Sequence, residues 1–193
     1  MTNRRQFLQT AAALTAAPLA GRASFASTHK PTSFAAVIVD SRYAEARAFG
    51  ARATPLGAPV REIEGDITDL WQNELLGHWK NSRAAVVGLT ERPALFLLEN
   101  LAWEHGLRVV FEAEHEPAGE GNAIHNIIRS ADPALALSLT ASGSSWPGIL
   151  ADALIAGNLA PKRDFRPSSA GLATHLGEAQ KLYSWIIAPR TAV

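Results

Sequence analysis

Short apolar runs rich in β-branched residues recur along the first part of the chain, and each has the length of one strand. Two of them are continuous, FAAVIV at 34–39 and RAAVVGL at 83–89, which is typical of strands buried on both faces of a sheet. LRVVFEA at 107–113 is a third run of this kind. VREIE at 60–64 is short and polar, so we expect it at a sheet edge.

Amphipathic segments between these runs predict helices. Asp40 and Ser41 can cap a first helix, which Gly50 ends. Asp66 can cap a second helix, whose apolar residues fall on one helical stripe. That stripe consists of Ile67, Leu70, Trp71, Leu75 and Trp79. A third helix opens at Thr90 with a proline in its first turn, and its apolar composition predicts that Trp103 belongs to the core.

Strand and helix therefore alternate as β-α-β-α-β-α-β over residues 34–113. This is the pattern of an α/β protein whose parallel sheet is covered by helices on both faces. Right-handed crossovers and the polar second strand favour the strand order 2-1-3-4. The sequence thus predicts a three-layer, Rossmann-like or flavodoxin-like core.

Residues 114–193 are less regular and predict a C-terminal extension that adds antiparallel strands. NAIHNIIRS at 122–130 follows a Gly-rich turn and is expected to return beside the fourth strand. LYSWIIAP at 182–189 is the last predicted strand, and we expect it to pair with 122–130. Residues 161–180 predict an ordered loop with a helical turn.

The N-terminus combines a pair of arginines with a short apolar stretch. NRRQFL at residues 3–8 places two arginines before Phe-Leu, and the short, Ala-rich stretch TAAALTAAPLA follows at 10–20. A spanning helix needs about 20 apolar residues, so this stretch is too short to be one. The arrangement resembles a bacterial twin-arginine (Tat) signal. A Sec-type signal and a disordered basic N-terminus are the alternatives.

The small-x-small triplet Ser24-Phe25-Ala26 places cleavage after Ala26, with cleavage after Ala23 as the alternative. The predicted organisation is a signal peptide at 1–26 and a single α/β domain at 27–193. The resemblance implies a periplasmic or secreted protein that folds before it crosses the membrane. Cargo of this kind often carries a cofactor inserted in the cytoplasm, or is exported with a partner that does.

Composition argues against several classes of function for the mature chain. Its 15 basic and 18 acidic residues, after removal of the three signal arginines, leave a net charge of −3, which gives no electrostatic reason to bind nucleic acid or anionic lipid. The chain has no cysteine. This excludes disulfides, thiolate-bound iron–sulfur clusters, covalent c-type haem and a cysteine nucleophile.

Ligands of an open α/β sheet bind beyond the carboxyl ends of the strands, where strand order reverses. In the predicted order this point lies between the first and third strands. The candidate crevice residues are Asp40, Ser41, Arg42, Thr90, Glu91, Arg92, Glu114 and His115. Two helix N-termini favour an anion here, with Arg42 and Arg92 as clamps. The alternative is structural, with the polar residues capping helices and the charged ones solvated.

His115 and His125 flank the Gly-rich turn. If the strands on either side pair, these imidazoles and Glu114 could converge on a metal ion or form an acid–base pair. A slip of one residue in register would place the side chains on opposite faces. We therefore predict no metal site, with Glu114, His115 and His125 as the candidate ligands should one form.

Familiar catalytic and cofactor motifs are missing. GEGNAI at 119–124 lacks the third glycine of a dinucleotide fingerprint and follows the fourth strand instead of the first. There is no P-loop, and GSSWP at 143–147 is not G-x-S-x-G. We predict no cofactor. Trp146 and Trp185 lie in the irregular half, where they could form a partner interface or close the core.

Three functions of different classes remain. The first is an exported accessory protein or small subunit of a larger periplasmic redox enzyme, suggested by an export signal on a chain without a cofactor motif. The second is a periplasmic small-ligand-binding protein that uses the crevice. The third is a metal-dependent or acid–base enzyme around His115. The missing catalytic motifs make a non-enzymatic role the expectation, since the fold alone permits many reactions.

Overall fold

The computed structural model describes residues 34–129, 133–156 and 180–189. The predicted signal peptide, its cleavage site and nearly all of the predicted loop at 161–180 lie outside these residues. The described strands are β1 (Ala36–Asp40), β2 (Val60–Ile63), β3 (Val86–Thr90), β4 (Leu107–Gly119), β5 (Asn122–Arg129) and β6 (Leu182–Pro189).

The described helices are α1 (Ala44–Ala53), α2 (Thr68–Leu70), α3 (Leu76–Asn81), α4 (Arg92–Glu104), α5 (Pro133–Ala141) and α6 (Trp146–Ile155). A π-helical turn at Trp71–Leu75 joins α2 to α3, and short 3-10 turns lie at Thr54–Leu56 and Gly143–Ser145. The Asp66 carboxylate accepts a 2.8 Å hydrogen bond from the Thr68 backbone N–H, so it satisfies a donor at the start of α2 as the sequence predicted.

The strands form one six-stranded mixed sheet in the order β2-β1-β3-β6-β4-β5. β1 is parallel to β2 and to β3. β6 is antiparallel to both β3 and β4, and β5 is antiparallel to β4. The alternation of strand and helix up to β4 and the antiparallel return of β5 agree with the sequence prediction.

The predicted strand order 2-1-3-4 is not found, because β6 lies between β3 and β4. β6 also does not pair with 122–130 as predicted. β4 keeps the predicted direction, since β3 and β4 are both antiparallel to β6. The sequence of β6, LYSWIIAP, is apolar on both faces, and a central position removes both faces from water. The fold is therefore mixed α/β, and the Rossmann-like description is not supported.

Helices pack on both faces of the sheet. On the first face, α1, α5 and α6 cover an apolar cluster that includes Phe49, Leu139, Trp146 and Leu150. On the second face, the predicted stripe around Leu75 and Trp79 and the buried side of α4 cover the other cluster. This second cluster contains Leu95, Leu98, Trp185 and Ile187.

Trp103 differs from its prediction. It is 61% exposed, because α4 turns Leu95, Leu98 and Ala102 towards the sheet, and Trp103 lies on the opposite side of the helix. The Arg108 guanidinium lies 4.2 Å from the centre of its ring. Because α4 is apolar along most of its length, its sequence does not show which of its large residues face water.

Candidate functional site

The carboxyl ends of β1 and β3 and the start of β6 meet at one edge of the sheet. Thr90 at the end of β3 lies opposite Tyr183 of β6. Tyr183 in turn lies opposite Glu114 of β4, and the next pair is His115 with Leu182. The sheet therefore brings every residue of the predicted crevice to this carboxyl edge, although β6 separates β3 from β4.

Asp40 anchors the first polar cluster at this edge. Its side chain is fully buried, and its two carboxylate oxygens accept hydrogen bonds from Arg42 Nε at 2.9 Å and Nη2 at 2.7 Å. The guanidinium of Arg42 also contacts the Glu91 carboxylate. These bonds raise the pKa of Arg42 above its ordinary value, with the Asp40 hydrogen bond as the largest cause and burial as an opposing one.

The capping alternative for Asp40 and Ser41 is not what the structure shows. Tyr43 is the residue before α1, and no side chain caps that end. Ser41 instead donates its hydroxyl to the Ile63 carbonyl at 3.1 Å, which ties the β1–α1 loop to β2. Asp40 is held by an ion pair.

Glu91 is the centre of the same cluster. Tyr43 donates its hydroxyl to Glu91 Oε1 at 2.6 Å, and Gln180 Nε2 donates to the same oxygen at 2.7 Å. Burial opposes ionisation of Glu91, but the hydrogen bonds from Tyr43, Gln180 and Arg42 outweigh it and lower the pKa. Burial, followed by the hydrogen bond to Glu91, raises the pKa of Tyr43. We name the Asp40, Arg42, Tyr43, Glu91 and Gln180 group the edge network.

Arg42 and Arg92 do not converge on a common point. Arg92 contacts Glu112, a buried carboxylate that also lies 3.1 Å from Arg129 Nε. The guanidinium of Arg92 stands 5.5 Å from the centre of the Tyr183 ring. Each of the two predicted clamps thus already has a carboxylate partner of its own.

Thr90 is positioned by Trp185. The Trp185 indole donates its Nε1–H to Thr90 Oγ1 at 3.0 Å. It can do so because Gly88 has no side chain: a Cβ there would stand 2.3 Å from the Trp185 ring. Thr90 therefore does not cap α4, and its hydroxyl is used to hold the indole against the sheet.

His115 and His125 lie directly opposite each other in the β4–β5 pair. Their Nδ1 atoms are 2.8 Å apart, and His115 Nε2 lies 2.7 Å from the hydroxyl of Ser184. The His115 ring stacks on Trp146 with a centroid distance of 4.5 Å. Both ring nitrogens of His115 therefore have partners, and the ring is held between Trp146 and the sheet.

Burial disfavours the charged form of both the His115 and the His125 imidazole. Desolvation of its fully buried ring, followed by repulsion from His125, lowers the pKa of His115 to about 3. Burial also lowers the pKa of His125. His115 is consequently a neutral imidazole at any ordinary pH.

Glu114 does not join the two histidines. It lies on the other face of β4, where its carboxylate accepts hydrogen bonds from Lys181 Nζ at 2.8 Å and from the Tyr183 hydroxyl at 3.1 Å. Within the described ranges, no three His, Asp or Glu side chains are grouped so that they could hold a metal ion.

A small cleft opens beside the edge network on the first face. It is lined by Tyr43, Glu45, His115, Pro117, Asn122, Ala123, Trp146, Gln180 and Leu182. Its volume is about 30 Å³, which is space for roughly two water-sized groups. Tyr43 and Gln180 belong to both the cleft and the edge network, so the network fixes one wall of the cleft. Glu45, in the first turn of α1, is the one charged side chain among these lining residues.

Several residues of the site carried no sequence signal. Ser184, Gln180 and Tyr43 belong to no motif, and two of them reach the edge only because β6 lies between β3 and β4. The two-residue period of a strand shows which residues of β6 share a face, but it does not identify the neighbouring strands.

Trp146 and Trp185, for which the sequence left a partner interface and the core as alternatives, are core residues. They are 1% and 0% exposed, so neither side chain is available to a partner in this structure. Trp146 stacks on His115, and Trp185 fills the space above Gly88.

Comparison with known proteins identifies the N-terminus. Residues 1–21 match the family model of the TAT (twin-arginine translocation) pathway signal sequence, so the chain carries a signal for export by the twin-arginine pathway. No curated protein and no solved structure matches the chain. In the described part of the chain, no helix has both the length and the apolar character needed to cross a membrane.

Proposed function

We propose that the mature chain is an exported protein that binds a small cationic ligand, such as the ammonium group of an organic amine, in the cleft beside the edge network. The observation that carries the proposal is the charge of this region. Glu45 brings a carboxylate to the cleft wall. The adjoining edge network contains two carboxylates and one guanidinium, and therefore carries a net charge of −1.

This charge pattern favours a cation over the anion that the sequence suggested. An anion would have to displace carboxylates from Arg42, which already contacts both Asp40 and Glu91. Opposite charges attract across a low-dielectric cleft more strongly than in water. Arg47, two residues after Glu45 in α1, donates to the Ser41 carbonyl and does not line the cleft.

The walls of the cleft are fixed before any ligand arrives. Three donors hold the Glu91 carboxylate, and Ser184, His125 and Trp146 hold His115. Preorganised walls reduce the entropy lost on binding. The apolar side chains of Pro117, Ala123 and Leu182 would contact the carbon atoms of an amine, and its remaining atoms would extend to solvent because the cleft is small.

Catalysis around His115 receives less support. Its Nδ1 and Nε2 both have hydrogen-bond partners, and its pKa of about 3 makes it a weak base. The Ser184 hydroxyl is buried and does not line the cleft. The His115–Ser184 hydrogen bond therefore fits a structural role in the cleft wall better than the role of a catalytic nucleophile and its base.

A screen of the mature protein tests the binding proposal. Small primary amines should raise the melting temperature, whereas carboxylates and neutral alcohols of the same size should leave it unchanged. Stabilisation by the carboxylates alone would favour the anion crevice of Arg42 and Arg92 instead.

A role as accessory protein of a larger exported redox enzyme is the second candidate. It is favoured by the exposed aromatic residues of α4, Phe96 at 60% and Trp103 at 61%, since aromatic side chains are enriched at protein interfaces. A stoichiometric oxidoreductase that co-purifies from the periplasm with the wild type, but not with a Phe96→Ser variant, would support it. Recovery of the chain alone would count against it.

A further inference from the structure

The two outermost strands of the sheet, β2 and β5, differ in length and in charge. β2 at one edge has only four residues, VREI, and two of them are charged. β5 at the other edge has eight residues, NAIHNIIR, with no proline, no lysine and one charge at its end. Short, charged strands protect an edge from pairing with another chain, whereas long strands without charge do not. Within the described residues, no strand lies on the outer side of β5.

The sequence of β5 is complementary to itself about Asn126. Ile124, Asn126 and Ile128 recur at every second position of β5 and all three are exposed, with a register shift against β4 at Ile128. If a second β5 runs antiparallel with Asn126 opposite its own copy, Ile124 lies opposite the partner's Ile128. Opposed β-branched residues can pack against each other across a strand pair, and the amides of two asparagines can hydrogen-bond to each other.

We propose that β5 is a dimerisation strand that pairs antiparallel with β5 of a second copy, with Asn126 on the two-fold axis. The two six-stranded sheets then form one continuous sheet. A second copy satisfies the pattern better than an unrelated partner does, because a two-fold pair needs one strand that matches itself. On the other face of the strand, His125 comes opposite the partner's Ile127, which buries the outer side of the histidine pair. The inference does not depend on the ligand proposal.

The natural absence of cysteine gives a direct test of this register. An Asn126→Cys variant has one thiol per chain, and the Cα atoms of opposed residues lie about 5 Å apart, within disulfide range of roughly 4.4–6.8 Å. In an Ile124→Cys variant the two thiols are four residues out of register, roughly 14 Å apart along the strands. We expect mild oxidation to link the first variant into dimers at least about tenfold faster than the second, since only the first meets this geometric limit.

The control is Leu137→Cys, on α5 outside the strand, where the wild-type side chain is 74% exposed. It should cross-link as slowly as the Ile124→Cys variant. Sedimentation of the mature wild-type protein should show a dimer that Ile124→Lys converts to a monomer and Leu137→Lys does not. A monomeric wild type, or equal cross-linking rates in all three cysteine variants, would overturn the proposal.

Discussion

The Nδ1 atoms of His115 and His125 lie 2.8 Å apart across the β4–β5 pair. A contact of this kind needs one nitrogen to donate and the other to accept, so the accepting ring must be neutral. The second nitrogen of His115 bonds to Ser184, and its ring stacks on Trp146. The wall of the cleft thus depends on uncharged imidazoles, and this has a consequence for pH dependence.

Stability should fall as pH drops from 7 to 5. The unfolded chain takes up a proton on His115 near pH 6.5, whereas the folded chain does not until about pH 3. The unfolded state therefore binds more protons between these values, which favours unfolding. One such histidine contributes about 2 kcal/mol of destabilisation at pH 5. The check is the melting temperature as a function of pH.

Two variants isolate this effect. His115→Gln should be less stable at neutral pH but should lose less stability on going from pH 7 to pH 5. His78→Gln, which replaces a half-exposed histidine on α3, should keep the wild-type pH dependence. The same pH dependence in wild type and His115→Gln would show that His115 takes up its proton normally in the folded chain.

Gly88→Ala should destabilise the fold. A Cβ at this position would stand 2.3 Å from the Trp185 ring and 2.8 Å from the Ile38 carbonyl, so the indole or the backbone must move. Overpacking of this kind costs about 1–3 kcal/mol, and urea unfolding measures it. Gly77→Ala is the control: no atom lies within 4 Å of its Cβ position, and an exposed helical alanine gains up to about 1 kcal/mol. Equal stability of the two variants would contradict the Gly88–Trp185 contact.

Arg42→Gln should cost about 3 kcal/mol, because it leaves the buried Asp40 carboxylate without its ion-pair partner. Arg52→Gln breaks an exposed pair with Asp152, for which a cost of about 0.5 kcal/mol is expected. Chemical denaturation compares the two free energies of unfolding. If Arg42→Gln is no worse than Arg52→Gln, Arg42 is a surface residue available to an anion after all.

The sequence predicted which residues lie at the carboxyl edge of the sheet better than it predicted their contact partners there. Asp40 and Thr90 end apolar strands, and the Gly-rich turn predicts the hairpin that brings His125 to His115. The partner of Thr90 could not be foreseen, because Trp185 lies 95 residues away on a strand whose neighbours are set by packing of the whole sheet. The same long-range choice placed Ser184 beside His115.

The measurement that tests the central claim most directly is calorimetric titration of the mature protein with the amine that stabilises it most, repeated on Glu45→Gln and Glu104→Gln. Both variants remove one carboxylate, from the cleft wall and from the exposed end of α4 respectively. The claim predicts at least about tenfold weaker binding to Glu45→Gln, equal to 1.4 kcal/mol, and wild-type affinity for Glu104→Gln. Equal affinity in all three proteins would contradict a cation site in the cleft.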